Sequence, residues 1–134
     1  MVFVSDPKLI AGVEQFLGQI NKIANLDDGT FYRLLVAATE AVNNAILHGN
    51  KSDVSKHVFI TCLFRKNDSL TLRVEDQGGG FNPMDIPNPI EEQNLLKTSG
   101  RGVFLMRELM DEVNFTFGKQ GSVVELVVNL RRLK

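Results

Sequence analysis

The order of hydrophobic periodicities along this chain predicts an α/β (α+β) fold. The expected form is a two-layer sandwich, with a mixed, mostly antiparallel five-stranded sheet covered on one face by three helices. Three observations carry that expectation. Apolar residues recur at helical spacing in three stretches, near residues 9–20, 28–49 and 101–112. Runs of β-branched and aromatic residues come in adjacent pairs joined by short turns, the signature of hairpins. At 134 residues, with 43% hydrophobic and 23% charged side chains, the chain suits one domain, 1–134, with its own core.

Taken in order, Val2-Phe3-Val4 is a short strand stopped by Ser5-Asp6-Pro7, where Ser5 or Asp6 can cap a helix with Pro7 in its first turn. Leu9, Ile10, Val13, Phe16, Leu17 and Ile20 then keep helical spacing. Asp27-Asp28 marks a second helix start, and that helix runs through Leu34 and Glu40 to a stop at Gly49. His57 to Arg65 and Leu70 to Glu75 read as a hairpin across Lys66-Asn67-Asp68-Ser69. Asp76 to Ser99 holds glycines and three prolines but little periodicity, and loops of that length in a compact domain are usually functional lids or connections. A third helix is expected from about Arg101 to Glu112, with Val103, Met106, Leu109, Met110 and Val113 inward. Asn114 to Phe117 and Val123 to Leu130 close the fold as a hairpin across Gly118-Lys119-Gln120-Gly121. The Phe side chains at 31, 59, 64, 104, 115 and 117 sit at core spacing and are assigned to packing.

Charge and composition narrow the function. A net charge of -1 leaves no general basic footprint for direct nucleic-acid binding. Arg131-Arg132-Lys134 is a short basic tail. No apolar run reaches the length of a membrane span and no signal-peptide pattern opens the sequence, so a cytoplasmic location without membrane attachment is expected. Cys62 is the single cysteine and lies in an apolar run, as a small buried hydrophobe does.

Three segments carry chemistry. In the second helix, Glu40, Asn44 and His48 follow one another at i, i+4 steps and so stack along one side. A carboxylate one turn before a carboxamide suits a hydrated divalent cation, with the acid free to orient or deprotonate a hydroxyl. A solvated polar helix face has the same look. Asp76-Gln77-Gly78-Gly79-Gly80 follows a strand. An ionised Asp there accepts hydrogen bonds, for instance from an exocyclic amine such as adenine N6, and Gly78 and Gly80 permit positive φ and close approach of a flat ring. A plain glycine-rich turn is the alternative. Gly100-Arg101-Gly102 opens the third helix, where free N–H groups and the dipole favour phosphate, with Arg101 and Lys97 as nearby cations. A simple helix start would read alike. Neither glycine segment has the spacing of a P-loop or a dinucleotide fingerprint.

In this order, the three segments resemble the N box and the two glycine boxes of the Bergerat-type ATPase superfamily. The finer resemblance is to the bacterial anti-sigma factor serine/threonine kinases. It rests on Glu-Ala-Val-x-Asn-Ala-Ile-Leu-His-Gly at 40–49 and on Phe104-Leu105-Met106 followed by Leu109-Met110-Asp111-Glu112-Val113. The likeness extends over nearly the whole chain. It implies a Bergerat ATP-binding fold, ATP and Mg2+ as cofactors, Glu40 as the catalytic general base, and Asn44 as the metal ligand. The adenine would meet Asp76, Gly78, Gly80 and Ser122, the last because Gly121-Ser122 is similar to a Gly-Thr pair of the family. The phosphates would meet Lys97, Thr98, Ser99, Gly100, Arg101, Gly102 and Val103, under a lid formed by about residues 81–99.

The resemblance further implies a protein serine kinase that sequesters an alternative sigma factor and phosphorylates a serine of an anti-anti-sigma antagonist protein. A homodimer is compatible with the family. An alternative is an ATP-binding regulatory interaction module without kinase turnover. His48 reads as a polar group at a helix end and His57 as the start of a strand, neither as a phospho-acceptor.

Overall fold

A computed structural model describes residues 2–4, 11–46, 50, 55–78, 100–118 and 121–131. The elements are β1 (Val2–Val4), α1 (Ala11–Ala24), α2 (Asp28–Asn44), β2 (His57–Arg65), β3 (Ser69–Glu75), α3 (Gly100–Leu109), β4 (Glu112–Gly118) and β5 (Gly121–Asn129). The expected cap at Ser5-Asp6-Pro7 and the expected lid at 81–99 fall outside the described residues.

The sheet order is β1-β2-β3-β5-β4. Four strands of seven to nine residues make its body, and the three-residue β1 adds an edge beside β2. The expected mixed sheet is corrected here, because every described ladder is antiparallel. Topology gives the reason. The chain leaves β3, passes through α3 and enters β4, but β5 folds back between them and pairs with both. β3 and β4, which run the same way, therefore never touch.

Alternation sorts the strands into two faces. Val58 and Ile60 on β2, Leu70, Leu72 and Val74 on β3, and Val124, Leu126 and Val128 on β5 are buried in one cluster with residues of all three helices. Val13 and Leu17 come from α1, Leu34, Ala37, Ala38, Ala41 and Val42 from α2, and Val103 and Met106 from α3. The helices thus share one face of the sheet. The opposite face carries Thr61, Leu63 and the Arg73–Glu75 ion pair at 2.9 Å, and Leu63 is 53% exposed. Cys62 points to the core side and is half-buried, with its thiol pushed up by that burial. Among the described residues, no helix is long and apolar enough to cross a membrane.

Helix ends and turns follow from local chemistry. Asp27 caps α2 by accepting from the Thr30 N–H at 2.7 Å and the Thr30 hydroxyl at 3.0 Å. Asn25 ends α1 with φ 53° and its N–H on the Asn21 carbonyl, a left-handed position that Asn tolerates. Asn67 takes φ 62° in the β2–β3 turn, where the polar Lys66–Ser69 cluster was expected to reverse the chain.

One helix boundary and one packing assignment differ from expectation. α3 stops at Leu109 rather than Glu112, because Asp111 already donates its N–H to Val127 of β5 at 3.0 Å and Glu112 pairs with Val127. Sheet pairing captured three residues whose spacing also fitted the helix, Val113 among them. Phe104 is the other miss. It is 59% exposed, since Val103 and Met106 define the inner stripe of α3 and Phe104 falls beside it. Phe59 sits on the open face with its ring 6.3 Å from that of His57, while Phe31, Phe64 and Phe115 pack against the core as expected.

Candidate nucleotide site

The C-terminal half of α2, the start of α3 and the ends of β3 and β5 meet at one place. Asp28–Asn44 is regular, and beyond it the Asn50 N–H reaches back to the Ala45 carbonyl at 2.8 Å, a wider turn than an α-helix makes. Glu40 and Asn44 lie on the side of α2 that faces α3. Both converge on Gly102: a Cβ placed there would lie 2.9 Å from Glu40 Oε2, 3.3 Å from Asn44 Nδ2 and 3.5 Å from Asn44 Oδ1. The absence of a side chain at 102 is what admits the acid and the amide to the first turn of α3. Of the two adjacent carboxamides, Asn44 is the one on this face and the one that walls the neighbouring cavity.

That cavity measures about 40 Å³ and lies between Ala41, Asn44 and Ala45 of α2, Met106 of α3, and Val74, Asp76, Phe115, Ser122, Val123 and Val124 at the sheet. Its walls are apolar except for Asn44, Asp76 and Ser122. At about 10–15 Å³ per water, its volume holds about three or four waters beside those polar groups.

Asp76 is fixed by the strand beside it. Its N–H donates to the Ser122 carbonyl at 3.0 Å, and its Oδ1 accepts from the N–H groups of Ser122 and Gly78, each at 3.0 Å. Both described bonds fall on Oδ1, which leaves Oδ2 as an acceptor. Burial pushes the carboxyl above its ordinary value of 3.8, while the Ser122 and Gly78 N–H groups and the Lys56 charge pull the other way. Ser122 Oγ is buried without a hydrogen-bond partner. An unmet hydroxyl at a polar cavity is costly unless something fills it, by about 1–3 kcal/mol. Gly121 makes this corner possible. It has φ 152°, and a Cβ there would sit 1.9 Å from the Asp76 carbonyl oxygen.

Glu40, Asn44, Asp76, Gly78, Gly102 and Ser122 are therefore brought to one region, with Val103 buried behind it in the core. Gly100 begins α3, and Arg101 follows it in the first turn. Gly80, Lys97, Thr98, Ser99 and His48 lie outside the described residues. Motif reading missed two residues that build the site, Asn50 and Gln77. Asn50 is wholly buried, donates from Nδ2 to the His57 carbonyl at 3.0 Å and accepts the Gln77 N–H on Oδ1 at 2.7 Å. Gln77 Oε1 in turn accepts the His57 N–H at 2.6 Å. The only signal in the sequence was an amide just after a helix-ending glycine.

Residues 3–128 match the family described as Histidine kinase-like ATPase domain. Anti-sigma F factor of Anoxybacillus flavithermus is 33% identical over 125 residues, covering 91% of this chain and 82% of that relative. The chain belongs to the anti-sigma factor kinase family of histidine kinase-like ATPases. A second member of this family, Serine-protein kinase RsbW of Listeria monocytogenes serovar 1/2a, is 29% identical over 100 residues, covering 68% of this chain and 61% of that protein. Among solved structures, the histidine kinase domain of the blue-light activated histidine kinase EL346 from Erythrobacter litoralis superposes with a TM-score of 0.59 at 21% identity, over 91% of this chain and 61% of that one. This likeness shows the shared fold of the family.

Proposed function

We propose that the protein is an ATP-dependent protein serine kinase that also acts as an anti-sigma factor. It would sequester an alternative sigma factor and phosphorylate a serine on an anti-anti-sigma antagonist, in the cytoplasm. The observation that carries the reading is the convergence of Glu40 and Asn44 on side-chain-free Gly102, next to a cavity closed by Asp76 and Ser122. The names of the two relatives, an anti-sigma F factor and a serine-protein kinase, support the activity and partner class.

The residues present suit ATP with magnesium. Asp76 Oδ2 and the unmet Ser122 Oγ are the polar groups for the exocyclic amine of adenine, directly or through water, and Val74, Met106 and Phe115 supply an apolar wall for the ring. Gly78 stands beside Asp76, and Gly80 is proposed for the same ring contact. The helix start at Gly100, Arg101, Gly102 and Val103 offers N–H groups to phosphate, with Lys97, Thr98 and Ser99 proposed to join from the lid. Asn44 Oδ1 is the protein group that would hold magnesium, a hard cation suited to oxygen ligands. Among the described residues, no three His, Cys, Asp or Glu side chains form a metal cluster. When bound, the nucleotide and cation supply the transferable phosphoryl group and neutralise its charge.

The chain's own part is positioning and one proton transfer. Glu40, held a turn from Asn44, accepts the proton of the acceptor serine hydroxyl. Gly102 keeps the acid and the amide in contact with α3, so the base and the phosphate-facing helix end share one frame.

The test is incubation of the protein with magnesium, γ-labelled ATP and a candidate antagonist encoded beside it. Acid-stable label on a serine of that protein, lost in Glu40→Ala while ATP binding persists, is the expected result. ATP binding with no transfer by the parent protein would assign the non-catalytic binding module instead.

A further inference from the structure

The only wholly buried side-chain amide in the described core is Asn50, and each of its bonds crosses between elements or turns. Its Oδ1 accepts the Gln77 N–H at 2.7 Å, its Nδ2 donates to the His57 carbonyl at 3.0 Å, and its own N–H holds the Ala45 carbonyl at 2.8 Å. The His57 N–H closes the ring on Gln77 Oε1 at 2.6 Å. Three parts of the chain are thereby joined at one buried residue, the start of β2 and the exit of β3 through its carboxamide and the end of α2 through its backbone N–H.

Where these bonds land gives them a use. Gln77 follows Asp76 directly, and Asp76 is gripped from its other side by Ser122, through the N–H to carbonyl bond and the Oδ1 contact, each 3.0 Å. Ala45 follows Asn44 directly. Asn50 therefore links the residue next to the metal-facing amide with the residue next to the purine-facing acid. A buried amide with only apolar work to do would be a poor choice, because an unmet amide costs more than a well-packed apolar group of its size.

We infer that Asn50 is a positioning residue that sets the distance between the two halves of the nucleotide site and thereby its selectivity for adenine. This rests on the proposed ATP reading. Asp76 Oδ2 prefers adenine over hypoxanthine only if it is held where the exocyclic amine falls; hypoxanthine offers an oxygen there, and a carboxylate free to shift avoids it.

The test compares Asn50→Ala and Gln77→Ala with Leu17→Ala, a core change on α1 at a residue that does not line the cavity. Gln77 is exposed, so its variant folds even where Asn50→Ala does not. Two quantities are read: amide hydrogen exchange in the nucleotide-free proteins, and the ratio of the ATP and ITP dissociation constants with magnesium. Exchange at residues 76–78 and 122 should quicken in Asn50→Ala and Gln77→Ala beyond any global change, and not selectively in Leu17→Ala. The ATP:ITP preference should fall by about tenfold in Asn50→Ala, the scale of one hydrogen bond, by less in Gln77→Ala, and stay constant in Leu17→Ala. Losses of ATP and ITP affinity that run in parallel and track Tm in all three variants would overturn the inference. If the parent binds neither nucleotide, the ATP reading fails. Local exchange unchanged at 76–78 and 122 then overturns the inference on its own, and selective quickening keeps Asn50 as the residue that positions Asp76.

Discussion

The two ends of α2 handle polar side chains in opposite ways. At its start, Asp27 accepts from the N–H and the hydroxyl of Thr30, and Arg33 donates back to that hydroxyl at 3.1 Å, so the polar groups satisfy each other within two turns. These contacts hold the Asp27 carboxyl below its ordinary range, chiefly through the Thr30 N–H. At its end, Glu40 and Asn44 point at a neighbouring helix, and the cavity beside them keeps a buried Ser122 hydroxyl without a partner and an Asp76 carboxyl raised by burial. The first end builds structure. In the proposed reading, the second end holds its groups for the nucleotide.

That contrast can be broken most severely at the second end. Glu40→Gln should lower phosphoryl transfer by about 10²–10⁴-fold with ATP affinity retained, as expected for loss of a general base. Steady-state transfer rates beside calorimetric binding separate the two effects. Gly121→Ala acts differently, because the obstacle is backbone: a Cβ 1.9 Å from the Asp76 carbonyl oxygen forces β3 and β5 apart. It should cost on the order of 3–5 kcal/mol in urea unfolding and abolish ATP binding with it.

Gly102→Ala sharpens the comparison, since its nearest obstacle is the end of the Glu40 side chain at 2.9 Å. Alanine favours the helix by up to about 1 kcal/mol, so stability should hold or rise. Transfer should fall by roughly 10–100-fold as the acid is displaced. Stability and activity moving in opposite directions is the signature of a residue kept for the site.

Acidity distinguishes the two ends in sign. Asp76 has its folded pKa raised above 3.8 by burial, so its contribution to stability is fully present below that value and is lost as pH rises through the folded pKa. In the proposed site, ATP binding uses the ionised acid and so should weaken as pH falls through the same raised value. Asp27 is lowered, chiefly by the Thr30 N–H, so its stabilisation is present above the ordinary value of 3.8 and lost as pH drops below it. Titrations of ATP affinity and of Tm against pH read the two separately. The smallest effect belongs to Asp27→Ala, which should lower Tm modestly through loss of the helix cap and leave ATP affinity unchanged.

The same contrast explains what could be read in the sequence. Glu40 and Asn44 are four residues apart, and Gly100 to Gly102 open one helix, so local spacing made them candidates, and the resemblance to a family chose the functional reading. Asp76 was legible because a strand pattern ends at Glu75. The Asn50–Gln77 bond spans 27 residues, and the Asp76–Ser122 bond spans 46, so no periodicity could pair them. The pairing of Asp76 with Ser122 came only from likeness to a family, and that of Asn50 with Gln77 not at all. The end of α3 was misplaced because Asp111 and Glu112 join β5 by pairing that helical spacing cannot foresee. Phe104 was misassigned because an aromatic next to an inward stripe looks apolar in sequence whether or not it is covered.

The most direct measurement is calorimetric titration of the protein with ATP in the presence of magnesium, repeated on Asp76→Asn. A single saturable binding event that is lost or strongly weakened in the variant is the predicted outcome. No heat of binding from the parent protein, or equal affinity in Asp76→Asn, would contradict the proposed nucleotide site.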